Sequence, residues 1–149
     1  MRLLCSIFIL WLAAPLFAQQ SADEEGRNRF CAVDIFIDSK SAPLAAWQIE
    51  FAATNGVAKI VGIEGGEADV FRNPPFYDPK AIQRERVIIA AFSTEAGARL
   101  PSGKTRVATI HLQVTGNMTP GFELKVQAAA SAEGTTISVE ATFEERKKP

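Results

Sequence analysis

One histidine, one tyrosine and two cysteines are spread over 149 residues, and these shortages exclude a good deal of chemistry. A structural or catalytic zinc site gathers three or four Cys, His or carboxylate ligands. Cys5 sits inside an apolar leader, so Cys31 and His111 are the only soft ligands left to the domain. A Ser–His–Asp triad would have to be built on His111, and no G-x-S-x-G turn is present to raise a serine. The paired acids Glu64 and Glu67 lie beside a Gly-Gly turn with no other catalytic group nearby in sequence, the setting of solvated carboxylates. "GARLPSGKT" looks like a phosphate loop but fails on spacing. The glycine needed five positions before Gly103 is Ala98, and a strand pattern follows rather than a helix. The chain reads as non-enzymatic.

Charge of one sign is also missing. Sixteen basic residues face 17 acidic ones, a formal net charge of −1, and no basic stripe marks a nucleic-acid partner. Long apolar runs are confined to the start. Arg2, the apolar "LLCSIFILWLAAPLF" and Ala18 before "QQSADEEG" form the pattern of a secretory signal peptide over residues 1–18. The run is short for a membrane span and Pro15 interrupts it, so no membrane insertion is expected after cleavage. The expected location is secreted, periplasmic or cell-envelope. Residues 19–29 then read as a polar leader, 30–144 as the domain and 145–149 as a charged tail. Cys31 would be left as a lone thiol. It shares strand parity with Val33, Ile35 and Ile37, which makes it a small core residue.

What is abundant is alternation of period two. "CAVDIFIDS", "LAAWQIEFAA", "RVATIHLQV", "GFELKVQAAA" and "TTISVEATF" put apolar side chains on one face and polar ones on the other, and "GVAKIVGIEGG" is a mostly apolar strand ending at a glycine pair. In "GFELKVQAAA", Phe122, Leu124, Val126 and Ala128 are expected inward. "RVIIAAFS" is apolar throughout and reads as a strand buried on both faces. "SAEG" is expected to turn the last two strands into a hairpin. Some seven short strands separated by Gly, Pro and Asn clusters predict an all-β, two-sheet antiparallel sandwich of jelly-roll type. One long irregular loop, "EADVFRNPPFYDPKAIQRER", interrupts the rhythm, with room for a turn or two of helix in "DPKAIQRER". Its aromatics either plug one end of the sandwich or form a contact surface.

From about Cys31 to Phe143 the order of strands and turns resembles the cohesin family, β-sandwich modules of bacterial cell-surface and cellulosome scaffolds. The resemblance rests on "APLAAWQIEFAATNGVAKIVGIEGGE", "RVIIAAFST", "LPSGKTRVATIHLQVTG" and "SAEGTTISVEATF". It implies a protein–protein binding module whose partner is dockerin-like and docks on one exposed sheet face. By strand parity the outward residues are Gln48, Glu50, Thr109, His111 and Gln113, and the resemblance assigns their strands to the receiving face. The alternative is a carbohydrate-binding module that stacks sugars on Phe71, Phe76 and Tyr77, with polysaccharide as partner. No cofactor is expected. Calcium stays open as a secondary reading because Glu64, Glu67, Asp69 and Asp78 lie in and beside the long loop, although no EF-hand pattern is present.

Overall fold

The computed structural model describes residues 27–146. The signal peptide expected at 1–18, most of the polar leader and the last three residues of the tail lie outside them. Eight strands follow in order: β1 (Asn28–Asp38), β2 (Ala46–Ala53), β3 (Ala58–Gly65), β4 (Phe76–Tyr77), β5 (Arg86–Phe92), β6 (Lys104–Thr115), β7 (Phe122–Ala130) and β8 (Glu140–Glu145). They form two four-stranded sheets, β3-β6-β1-β8 and β4-β5-β2-β7, and every pairing is antiparallel. The two-sheet sandwich expected from alternation is the fold observed. Ordered strand begins at Asn28 and runs to Glu145, slightly beyond the expected domain limits.

Alternation produces the sandwich directly. Val33, Ile35 and Ile37 of β1, Ile49 and Phe51 of β2, and Ile110, Leu112 and Val114 of β6 are fully buried between the sheets. Each such side chain withdrawn from water contributes about 1.5–3 kcal/mol, so this shared layer dominates the stability of the domain. Trp47 lies in it as expected, 2% exposed, with Phe71 packed edge-on at 6.0 Å. Cys31 is half-buried against the same layer, and loss of hydration pushes its thiol pKa up, with Glu145 adding to the effect.

Three expectations are corrected. β5 is not buried on both faces. Val87 and Ile89 are buried, but Ile88 and Phe92 are 39% and 63% exposed, because among the described residues no third layer covers the outside of that sheet. "SAEG" does not close a hairpin of paired strands. After Gly134, at φ +75°, a single bridge joins Thr136 to Ala130, and the chain then crosses to pair as β8 with β1 in the other sheet. In β7 a bulge opposite Gln48 and Ile49 leaves Gln127 unpaired and reverses the parity beyond it. Ala128 therefore points outward and Ala129 inward.

"LPSGK" is the turn before β6 rather than a phosphate loop. Gly103 takes φ +74°, and its N–H donates to the Lys40 carbonyl. The long loop carries two single 3-10 turns, at Asp69–Phe71 and Pro79–Ala81, the second capped by the Asp78 carboxylate accepting from the Lys80 N–H. Gly65 and Gly66 start this loop where backbones crowd. A Cβ on Gly65 would lie 2.1 Å from the Arg72 carbonyl oxygen, and one on Gly66 would lie 2.4 Å from that of Arg106.

Candidate functional site

The five residues expected on one receiving face lie on two. Gln48 and Glu50 point outward from β2 in the β4-β5-β2-β7 sheet, whereas Thr109, His111 and Gln113 point outward from β6 in the β3-β6-β1-β8 sheet. The hydrophobic layer separates them, with sheets packed about 10 Å apart, so a single partner surface does not reach both sets. Parity predicted outward correctly but could not say outward from which sheet.

On the β6 side the outward groups mostly serve the domain itself. Thr109 is fully buried although it points away from the core. Its hydroxyl donates to Asp34 at 2.6 Å and accepts from Arg106 at 2.9 Å. Arg146, just beyond β8, donates to Asp34 through Nη2 and Nε at 2.6 and 3.2 Å and fastens the end of the chain to the sheet. Partial burial would raise the Asp34 pKa, but hydrogen bonds from Arg146 and Thr109 outweigh it and hold the carboxyl below its ordinary value. His111 stands over Gly62, with Nε2 3.0 Å from a Glu64 carboxylate oxygen. That is ion-pair distance, but off the line a hydrogen bond requires.

The opposite face has a different character. Ala46, Ala90, Ala128 and Ala130 line the floor of a shallow hollow of about 240 Å³ across β5, β2 and β7. Phe92 forms one wall, and Phe76, brought in by β4, lies nearly parallel to it with ring centres 6.0 Å apart. Phe76, Phe92 and Ile88 are all substantially exposed. Beside them runs a polar strip that holds itself in place. Arg86 grips the Glu50 carboxylate with two hydrogen bonds of 2.7 and 2.9 Å, Gln127 donates to the same carboxylate at 2.9 Å, and Gln48 donates to Gln127. The Arg86 hydrogen bonds lower the Glu50 pKa and raise that of Arg86. The arrangement sets an apolar hollow beside a row of hydrogen-bonding groups that already engage one another.

The aromatic alternative loses one member. Phe71 is 2% exposed and plugs the core against Trp47, Tyr77 is half-buried, and of the three only Phe76 is free at the surface. The four acids considered for calcium are also engaged separately: Glu64 at His111, Glu67 accepting from the Arg106 N–H, Asp69 paired with Arg72, and Asp78 capping its turn. Among the described residues no three metal-binding side chains come together.

Structural comparison places this architecture among known ones. No protein-family model matches the sequence, and no curated protein does. Solved structures do. The non-cellulosomal cohesin from the hyperthermophilic archaeon Archaeoglobus fulgidus superposes with a TM-score of 0.56 at 11% identity, covering 76% of this chain and 75% of that one. The fold is cohesin-like. A second match is a chain of the Coh-OlpA–Doc918 complex, a type I cohesin–dockerin complex from Clostridium thermocellum. Its TM-score is 0.51 at 16% identity, with 77% of this chain and 84% of that one covered. At such identities the likeness concerns the path of the chain.

Sequence reasoning missed Ile88, Phe92 and the alanine floor. An unbroken apolar strand gives parity nothing to distinguish, and the bulge that turns Ala128 outward leaves no local sign in "KVQAAAS".

Proposed function

We propose that this chain is an exported, non-enzymatic module that binds a protein partner on the outer face of the β4-β5-β2-β7 sheet. The observation that carries this reading is the exposed apolar surface of Phe76, Phe92 and Ile88 around the alanine floor, bordered by an ordered polar strip. Exposed apolar surface rimmed by polar groups is the ordinary anatomy of a docking site, with aromatic anchors at its centre. Alanines let a partner backbone approach closely, and the Glu50–Arg86–Gln127 chain pays little ordering entropy on binding because it is already held. Two findings support the nature of the partner: the cohesin-like fold, and the fact that one structural neighbour is part of a cohesin–dockerin complex. A dockerin-like protein is the partner we propose. Export rests on the leader sequence of residues 1–18.

The test begins with cross-linking the tagged chain in an envelope extract, identifying the captured protein and measuring its binding in purified form. Ile88→Lys and Ala128→Arg should each weaken that binding by ~30-fold or more, the scale of an interface hot spot. His111→Glu and Gln113→Arg, on the other face, should not. If the second pair disrupts binding and the first does not, the face has been misassigned.

A further inference from the structure

Beyond the end of β5 lies a second concavity that shares only Phe92 with the docking hollow. Asp69, Thr94, Glu95 and Arg99 edge a cleft of about 340 Å³, and Phe92 and Val70 supply its apolar wall. Its polar groups are held before any ligand arrives. The Ser93 hydroxyl, also in the lining, accepts from the Glu95 N–H at 3.1 Å, and Arg99 sits 3.0 Å from the Glu95 carboxylate across one 3-10 turn. Phe92 is steadied by the near-parallel Phe76 ring, 12° away in tilt.

Charge identifies the class of ligand. Asp69 is paired with Arg72, and Glu95 with Arg99, so the rim is neutral as a whole although every polar group on it is strong. A bound cation or anion would compete with one of these pairs for its partner. A neutral polyol would not, since its hydroxyls both donate to carboxylate and accept from guanidinium, in the charge-assisted bonds that are the strongest available here. An aromatic wall attracts the weakly positive C–H face of a sugar ring through the negative face of its π-system. The volume lies near the lower end of the ~300–1,000 Å³ typical of small-molecule sites.

We propose that this cleft binds one neutral saccharide unit of a glycan, with its C–H face on Phe92 and neighbouring hydroxyls bridging Glu95 and Arg99. This differs from stacking on Phe71, Phe76 and Tyr77, since the wall is Phe92 and the hydrogen-bonding groups come from the segment after β5. It does not depend on the protein-docking reading, but Phe92 belongs to both sites, so glycan and protein would compete for it.

The experiment is native affinity electrophoresis of the full chain through gels containing mixed-linkage β-glucan, xylan, galactomannan or glycogen, with a polygalacturonate gel as an anionic comparison. Retardation by at least one neutral polymer is expected. The double variant Glu95→Gln/Arg99→Met should weaken it by about ten-fold or more, as loss of charge-assisted hydrogen bonds implies. Thr94→Met, which narrows the cleft without adding a charge beside Glu95 and Asp69, should do the same, and Lys59→Glu on the far face should have no effect. Unchanged mobility in all four neutral gels overturns the proposal. So does retardation by polygalacturonate alone, or retardation that survives both cleft variants. If the parent chain shows no glycan retention while its partner capture is intact, this inference falls and the docking surface stands.

Discussion

Phe71 offers a sharp measurement because two readings of the long loop give it opposite fates. As a sugar platform it would be exposed and its removal would leave stability untouched. In the structure it is 2% exposed, and its ring meets Trp47 edge-on at 6.0 Å. Truncating a buried phenylalanine costs about 3–5 kcal/mol, combining lost transfer free energy with the cavity left behind. At about 4 °C per kcal/mol for a domain of this size, Phe71→Ala should lower Tm by roughly 10–20 °C. Phe76→Ala, five residues on and 69% exposed, loses only its contact with Phe92 and should cost under about 1.5 kcal/mol. The assay is urea unfolding followed by Trp47 emission, with Trp11 removed along with the leader. Acrylamide quenching supplies a second readout, since opening the plug should let the quencher reach an indole it cannot reach in the parent. Equal losses from the two alanine variants, or an indole still shielded in Phe71→Ala, would refute the plug and the position of the loop.

Gly65→Ala should destabilise by several kcal/mol, a scale at which unfolding in urea shifts markedly, because its Cβ would meet the Arg72 backbone at 2.1 Å and backbone cannot yield as a side-chain tip can. The same substitution at Gly56, at φ +70° but with open space around it, should cost about 1 kcal/mol of backbone strain alone. Acid should weaken the fold through Asp34. Its carboxyl pKa is lowered on folding, so its contribution is present in full above the unfolded value near 3.8 and is lost as pH falls through the lower folded value. Asp34→Asn should therefore flatten the acid limb of a stability–pH curve below about pH 4 and cost about 1–3 kcal/mol at neutral pH, where Arg146 and Thr109 lose an ionised partner. An unchanged acid limb in that variant would show that other carboxylates govern it. Ile88→Lys should leave Tm nearly unchanged while reducing partner affinity, since Ile88 is already in contact with water.

How much was legible can be judged from individual strands. β2 and the part of β1 from Cys31 onward read correctly, whereas Asn28 and Arg29 were read as polar leader and are strand; Trp47 was placed in the core from its parity with Ile49 and Phe51. β5 could not be read, since Ile88 and Ile89 are the same residue type and only the absence of a covering layer separates them. Ala128 of β7 was assigned inward by an alternation that the bulge at Gln127 interrupts. Of the residues now placed on the docking face, the sequence supplied Gln48, Glu50 and Phe76, but put the first two together with residues of the opposite sheet.

Alternation along the chain was enough to determine that two layers must close on each other, because each half-apolar strand needs another such face to remove it from water. It also determined where the turns fall, since Gly103 and Gly134 mark the points of positive φ. Which strand joins which sheet was decided only by long-range pairing. β2 and β6 carry the same period-two pattern, and the choice of hydrogen-bonding neighbours that sends Gln48 to one side of the domain and His111 to the other is made by residues dozens of positions away. The hollow exists for the same reason: Phe76, Phe92 and Ala128 meet only after three separate segments have paired into one sheet.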